Sequence, residues 1–538
     1  MGERTDLLQD GEVDERGEPR KPYHAENAER LQELSETPPP VAPVRCHNTK
    51  GLLAAIACTV LGSRLIIISA FGSPVPVLDQ WDAEAAVVYS PHLKGVLTFA
   101  DLLTAHNEHR IFVTRLLALV HLELAGEWNT RLEMVINAAV FTALITWLAA
   151  LLLPMMSPQR RLLMACFVAF MFGLPIDFEN TLWGFQSQVY FSLLLGLASL
   201  VAFSTARPFS MSWFGGSAAA VLSYFSYATG IAALAGAALL LSWQLATNAR
   251  KRCGREVIGV VVLGLSTAAL TLWEAQGATP KSTLWTFVQG LGIFAALTIA
   301  ASIPIVLFSK QALAKRPDFT DQVWLMIWIF SWIAIQLVLI AYGRGRLVAP
   351  RYMDVVLLCY PLALVAVFAL SDAARAAGLH RRSVPGPATW LFCVATVIAI
   401  AGCVSVLASN YWSKAASQQV ADVRAYLATG QLDRLKERGN PIHGVSLMLP
   451  DPRGQARVLK DPDVRAILPP ELRPADANNG EARRRMLLKG KLASPTATAF
   501  RFTLAAGPIF LAGGIGLFFA IGAARSWQAD ACRTGRRE

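Results

Sequence analysis

The sequence predicts an all-α, polytopic integral membrane protein, and three observations predict it. Of 538 residues, 54% are hydrophobic and 16% are charged, whereas about a quarter of a soluble domain is charged. Apolar runs of about 18 to 24 residues recur from position 51 to position 523, each able to cross a hydrocarbon layer of about 30 Å at 1.5 Å per residue. Lysine and arginine gather in alternate loops, as the positive-inside rule requires of about twelve transmembrane helices. The net charge of +11 is dispersed over those loops, so it reports topology and no nucleic-acid partner is expected.

The elements follow in order. Residues 1–50 are polar, rich in Glu and Arg, end near Pro38-Pro39-Pro40, and contain no signal-peptide core, so they read as a disordered cytosolic tail. The first span covers about 51–72 and contains Arg64, which either pairs inside the bundle or snorkels along its helix. A long polar loop then runs from Pro74 to Arg131. Within it Ile111 to Leu124 is apolar but interrupted by Arg115, His121 and Glu123; at about 14 residues it is too short to span and suits a helix lying in the interface. The second span, about 132–154, ends at Pro154 and Arg160-Arg161.

A short third span at about 162–175 leads into a polar, aromatic loop from Ile176 to Gln186, and the fourth follows at about 188–204. Spans five and six, about 212–226 and 229–246, meet at Tyr227-Ala228-Thr229-Gly230 and end at Arg250-Lys251-Arg252. Spans seven to eleven fall at about 256–273, 285–308, 323–342, 355–371 and 388–408. Lys310, Lys315, Arg316, Arg375, Arg381 and Arg382 then lie inside, with only Lys281 in the outer loop after span seven. The exception is the outer loop Gly343 to Asp354, which carries Arg344, Arg346 and Arg351; an anion bound there would explain three misplaced cations.

The core is thus 51–408. The stretch 409–500, with turn signals at Asn440-Pro441, Asp451-Pro452 and Pro469-Pro470, reads as a small outer (periplasmic) domain or a lid. Residues 501–538 hold the last span, about 502–523, and a basic cytosolic tail, which puts both termini in the cytosol. The eight cysteines fall in spans or cytosolic segments and imply no disulfide framework.

Three outer loops hold the unusual polar residues. The first carries Asp79, Trp81, Asp82 and Glu84, then His106-Asn107-Glu108-His109-Arg110. The second carries Asp177, Glu179, Asn180, Trp183 and Gln186, and the third Arg344, Arg346, Arg351 and Tyr352. Charges near lipid cost hydration, about 2.5 kcal/mol or more each, so such a cluster marks a candidate site. Carboxylates facing arginines suit transfer of a group from a phosphate leaving group: a base takes the acceptor proton and cations hold the departing phosphate. Asp79 and Asp82, three apart, share one face if their stretch is helical, which makes them the candidate catalytic pair. Trp81 either stacks on a sugar or anchors at the interface. The His and Glu residues contact substrate, cap an interfacial helix, or hold a divalent cation such as magnesium or manganese; no metal ligand is assigned. An outer-face transferase has no nucleotide sugars to draw on, so its donor would be a polyprenyl phosphate carrying a sugar.

At these residues the chain resembles the polytopic glycosyltransferases of the GT-C superfamily, such as the protein O-mannosyltransferases and the lipid A aminoarabinose transferase. The shared order is a first span, the acidic residues Asp79 to Asp82, the turn Leu93-Lys94-Gly95, the interfacial stretch Ile111 to Gly126, and Arg131-Leu132 opening the second span, with Arg351-Tyr352 and Pro361 later. Here Asp-Gln-Trp-Asp stands where that superfamily has adjacent acidic residues. The runs Asn107 to Arg110 and Glu179 to Gln186 are similar to those of a bacterial branch grouped with it. The resemblance implies an inverting transfer of a sugar from a polyprenyl-phosphate donor to a glycan, lipid or protein acceptor, in a bacterial inner membrane, with Asp79 or Asp82 as base. The competing reading is a transporter or flippase for a lipid-linked or anionic substrate, with the same charges lining its path.

Overall fold

The computed structural model describes residues 47–275, 282–378, 385–436 and 447–534. The polar tail before residue 47, Lys281, Arg381, Arg382 and the Asn440-Pro441 turn lie outside them. Among the described residues the fold is all-α, with one isolated bridge between His106 and His109.

Among the described residues ten helices are long and apolar enough to cross a membrane: Thr49–Phe71, Thr130–Met155, Gly184–Thr205, Ala228–Ala246, Gly254–Trp273, Leu284–Ala314, Gln322–Arg344, Pro350–Ala376, Pro385–Thr429 and Gly507–Ser526. The other two expected spans are shorter, Arg161–Gly173 with 13 residues and Met211–Tyr224 with 14. Each still carries the chain between the two ends of the bundle. Arg160, ahead of the first, pairs with Asp372 at 2.7 Å, while Asp177, beyond it, meets Arg64 at 2.6 Å near the other end. The shortfall after Gly173 is made up by short helical turns at Phe178–Leu182 and Gly184–Gln186, whose residues are almost all buried. Irregular backbone is tolerated at membrane depth when protein surrounds it.

Small residues let helices touch where their backbones meet. A Cβ at Gly62 would lie 2.3 Å from the Leu511 nitrogen, and one at Gly514 would lie 2.4 Å from the Thr59 hydroxyl. The first and last spans therefore pack at the close approach that small residues permit between membrane helices.

The loops at 73–130, 176–187 and 343–354 converge on one end of the bundle with the described residues of the 409–500 segment. Val113 N–H donates to the Phe225 carbonyl at 3.3 Å, and Asn180 donates to the Arg351 carbonyl at 2.8 Å. The boundary expected at 409 falls inside a single helix, Pro385–Thr429, whose 45 residues would extend about 67 Å at 1.5 Å per residue, twice a hydrocarbon core. Its second half leaves the bundle and places Trp412, Val423 and Tyr426 in one hydrophobic core with Trp81, Trp128 and Ile467. Leu78 N–H donates to the Leu447 carbonyl at 3.0 Å, Trp128 N–H to the Ile467 carbonyl at 2.7 Å, and Lys94 pairs with Asp461 at 2.6 Å. The 447–486 segment is thus a fixed cover that shares its core with the first loop.

Candidate functional site

The first loop is shaped by a residue that looks unremarkable in the sequence. Gln80 is fully buried; its Oε1 accepts the Val77 N–H at 3.1 Å, and its Nε2 donates to Glu84 at 3.1 Å and to Glu133 at 2.8 Å. It plugs the start of a π-helix, Trp81–Tyr89, which ends with the Ser90 N–H bonded five residues back to the Ala85 carbonyl. Trp81 and Glu84 turn into the core, while Asp79 and Asp82 remain toward the outside, their side chains 35% and 59% exposed.

One imidazole stands between the two aspartates. His106 Nε2 lies 3.6 Å from Asp79 Oδ2 and its Nδ1 lies 3.8 Å from Asp82 Oδ2, with the ring buried edge-on against Phe185 at 5.7 Å between centroids. Asn107 Nδ2 is 3.3 Å from the same Nε2. Asp82 also borders a cleft of about 260 Å³ lined by Leu449, Asp451 and Arg457. These cleft residues come from the cover, and their position rests on tertiary folding alone.

His106 belongs to a tight turn that faces two ways. The backbones of His106 and His109 exchange hydrogen bonds of 2.7 and 2.9 Å, and Asn107 takes a left-handed φ of 50°, which asparagine accommodates better than most residues. Past the turn, Glu108 pairs with Arg344. His109 lies 3.5 Å from Glu108, its ring 4.1 Å from that of Tyr227, and its Nδ1 accepts the Ala228 N–H at 3.4 Å. Arg351 meets Glu179 at 3.3 Å, with buried Tyr352 alongside. Burial pushes the Glu179 carboxyl upward while Arg351 pulls it down, and burial raises the Tyr227 hydroxyl as well.

Arg344 and Arg351 each come with a carboxylate, and Arg346 is exposed. Arg110 stacks over Trp273 at 4.0 Å and donates to the Leu103 carbonyl at 2.9 Å, which is a bracing role. Arg115 is buried and donates to the carbonyls of Asp101, Leu102 and Thr104, holding the interfacial helix Phe112–Ala125 against the loop before it.

The fold does not bring Trp81, Glu84, Asn180, Trp183 or Gln186 to an open surface. Trp81 neither stacks outward nor lies at an interface: it is fully buried, edge-on to Trp128 at 5.3 Å. Asn180 bridges the Arg351 carbonyl and Asp354, both at 2.8 Å. Trp183 packs against Phe185 at 5.8 Å. Among the described residues no group of three or more His, Cys, Asp or Glu is arranged to hold a metal ion, so the divalent-cation expectation gains no ligand set.

Two buried networks support the site. Arg64 neither snorkels nor stands alone: it is bonded to Asp177 at 2.6 Å, to Thr181 and to Tyr190 at 3.2 Å, and lies 3.9 Å from Asp354 and 4.0 Å from the Phe141 ring centre. The second network was not legible in the sequence, although an acid in the first turn of an apolar span is its signal. Glu84 and Glu133, both 2% exposed, share the Gln80 amide; Trp128 donates to Glu84 at 3.2 Å and Tyr89 to Glu133 at 3.3 Å. A side chain at residue 184 would drive a Cβ to 2.3 Å from Glu133, hence Gly184. His121, 3.9 Å from Glu133, is held neutral by burial, its pKa pushed down to about 3.

Burial, and then the neighbouring Glu133, raise the Glu84 carboxyl well above its ordinary 4.5. The folded chain keeps a proton that the unfolded chain loses near 4.5, so this group's contribution is full below that pH and is lost as pH rises through the higher folded value. Thermal unfolding in detergent from pH 5 to pH 8 should therefore show wild type losing stability relative to Glu84→Gln, which keeps an acceptor for Gln80 and Trp128. Parallel curves for the two proteins would mean that Glu84 is ionised in the fold.

No family model, no curated protein and no solved structure matches this chain.

Proposed function

We propose that this protein is a membrane glycosyltransferase. It takes a sugar from a polyprenyl-phosphate donor and passes it to an envelope glycan, lipid or protein on the outer face of a bacterial inner membrane. The supporting observation is the His106–His109 turn, which joins the aspartate pair on one side to the Glu108–Arg344 pair on the other within four residues. In the reaction the acceptor O–H gives its proton to Asp79 or Asp82 and its oxygen bonds to the anomeric carbon. The bond from that carbon to the phosphate oxygen breaks, and the phosphate leaves with the electron pair and inverts the centre. A guanidinium carries five N–H donors, so Arg344 and Arg351 can each serve a carboxylate and still offer hydrogen bonds to the phosphate.

The transporter reading is less well supported. The cavity beside Arg351, lined by Tyr227, Gln336 and Tyr352 among others, has a volume of about 10 Å³, room for about one water, so it provides no path through the bundle.

Release of polyprenyl phosphate by the purified chain, measured with a polyprenyl-phosphate sugar and a membrane-glycan acceptor, tests the proposal. If Arg344 or Arg351 grips the phosphate as a planar fork, lysine there should weaken donor binding about tenfold or more, since charge-assisted hydrogen bonds contribute about 1.5–3 kcal/mol and an ammonium cannot reproduce the fork. Lysine variants at 344, 346 and 351 that all bind donor as wild type does would sink the anion site.

A further inference from the structure

The cover ends in an unusual stretch, Arg483-Arg484-Arg485-Met486-Leu487-Leu488-Lys489-Gly490-Lys491-Leu492. Two of its cations turn back to the protein: Arg483 donates to the Gly126 carbonyl at 3.0 Å, and Arg485 pairs with Asp463 at 2.6 Å. Arg484, Lys489 and Lys491 are exposed. So are the leucines between them, Leu487 at 79%, Leu488 at 37% and Leu492 at 40%.

The tip is held in this pose. The Glu123 carboxylate accepts the N–H groups of Leu487 and Leu488 at 3.0 and 2.8 Å and meets His92 at 2.8 Å, while Met486 is buried beneath. Lys489 and Gly490 take left-handed φ values of 51° and 71°, which close the turn. Beside it the interfacial helix exposes Leu116 and Val120. Exposed leucines interleaved with cations are the composition of a surface that lies in a lipid interface.

The position agrees. Immediately after the tip, the helix Ala493–Ala505 packs Phe500 and Leu504 against Leu65 and Ile68, in the last turns of the first span, and Met134, in the opening turns of the second, all at the site end. Leu492 precedes Phe500 by eight residues, about 12 Å along a helix. The tip therefore lies up to about 12 Å beyond the span turns that Phe500 touches, within reach of the headgroup layer, which adds about 5–7 Å on each side.

We infer that this tip is a docking surface for anionic phospholipid, with its leucines in the acyl boundary and Arg484, Lys489 and Lys491 on the headgroup phosphates of the leaflet at the site end. The inference stands apart from the proposed transferase activity. It can be tested on the full chain in neutral detergent, with the native cysteines replaced and an environment-sensitive fluorophore at Leu487→Cys, by titrating phosphatidylglycerol and, separately, phosphatidylcholine. Phosphatidylglycerol should give a saturable blue shift that phosphatidylcholine gives only at much higher mole fraction. A cation near an anionic surface contributes about a fivefold factor at low salt, so Arg484→Gln/Lys489→Gln/Lys491→Gln should weaken the response by about a hundredfold and flatten its salt dependence. Leu488→Ser/Leu492→Ser should shrink the blue shift while leaving the salt dependence in place. These positions are exposed, so monodisperse variants are expected, and size exclusion checks this. Equal responses to the two lipids, or a triple variant that titrates like the parent, would overturn the inference.

Discussion

Replacing Asp79 by asparagine should give a folded protein that still binds a polyprenyl-phosphate sugar and transfers it about 10² to 10⁴ times more slowly, the usual loss when a general base is removed. Asparagine matches aspartate in shape but cannot take the acceptor proton. Asp82→Asn is the companion measurement, since both carboxylates face His106, at 3.6 and 3.8 Å, and Asp82 borders the cleft under the cover. The variant with the larger fall in kcat identifies the base. The other should chiefly raise KM for the acceptor, because it retains the imidazole contact without moving the proton. Donor affinity is the control, as the arginine side of the turn is untouched by either change. If both variants transfer at wild-type rates, the loop is not the transferase site and the transporter reading moves ahead.

The largest effect on stability is expected at Arg64. Its guanidinium is 3% exposed and counters Asp177 and Asp354, each 1% exposed, while Thr181 and Tyr190 also accept from it. Arg64→Leu would leave two carboxylates buried with no cation, and breaking a buried pair from one side costs about 3–5 kcal/mol. Equilibrium unfolding in mixed micelles titrated with an ionic detergent measures this loss. Adding Asp177→Asn to Arg64→Leu should recover part of it, because one of the stranded charges is then gone. A single variant within about 0.5 kcal/mol of wild type, the range of ordinary surface changes, would show that the network is hydrated rather than dry. The same network ties the 176–187 loop to the helix that carries Arg351, so its failure should also loosen donor binding.

The sequence by itself determined what is written locally. Runs of apolar residues specify spans because a membrane asks only for length and hydrocarbon, and among the described residues ten such helices stand where the pattern places them. The interfacial helix, with Gly126 left-handed at its end, is legible for the same reason: its apolar run is too short to span and stops at a glycine. Arg64 was legible as a residue that must pair or snorkel, and only the packed fold chose the pairing with Asp177.

Tertiary structure alone decided which acids face outward and which are buried. Between Gln80 and Ser90 the chain is wound as a π-helix, so a helical reading at 3.6 residues per turn cannot tell that Asp82 stays open while Glu84 goes in to meet Glu133, 49 residues later. The arginines looked uncompensated because Glu108 and Glu179 lie more than 170 residues before their partners. The 409–500 segment looked separable because its few apolar residues make no core of their own; they complete one with Trp81 and Trp128. Charge pairing and core sharing depend on distance in space, and over such separations along the chain only the packed fold sets that distance.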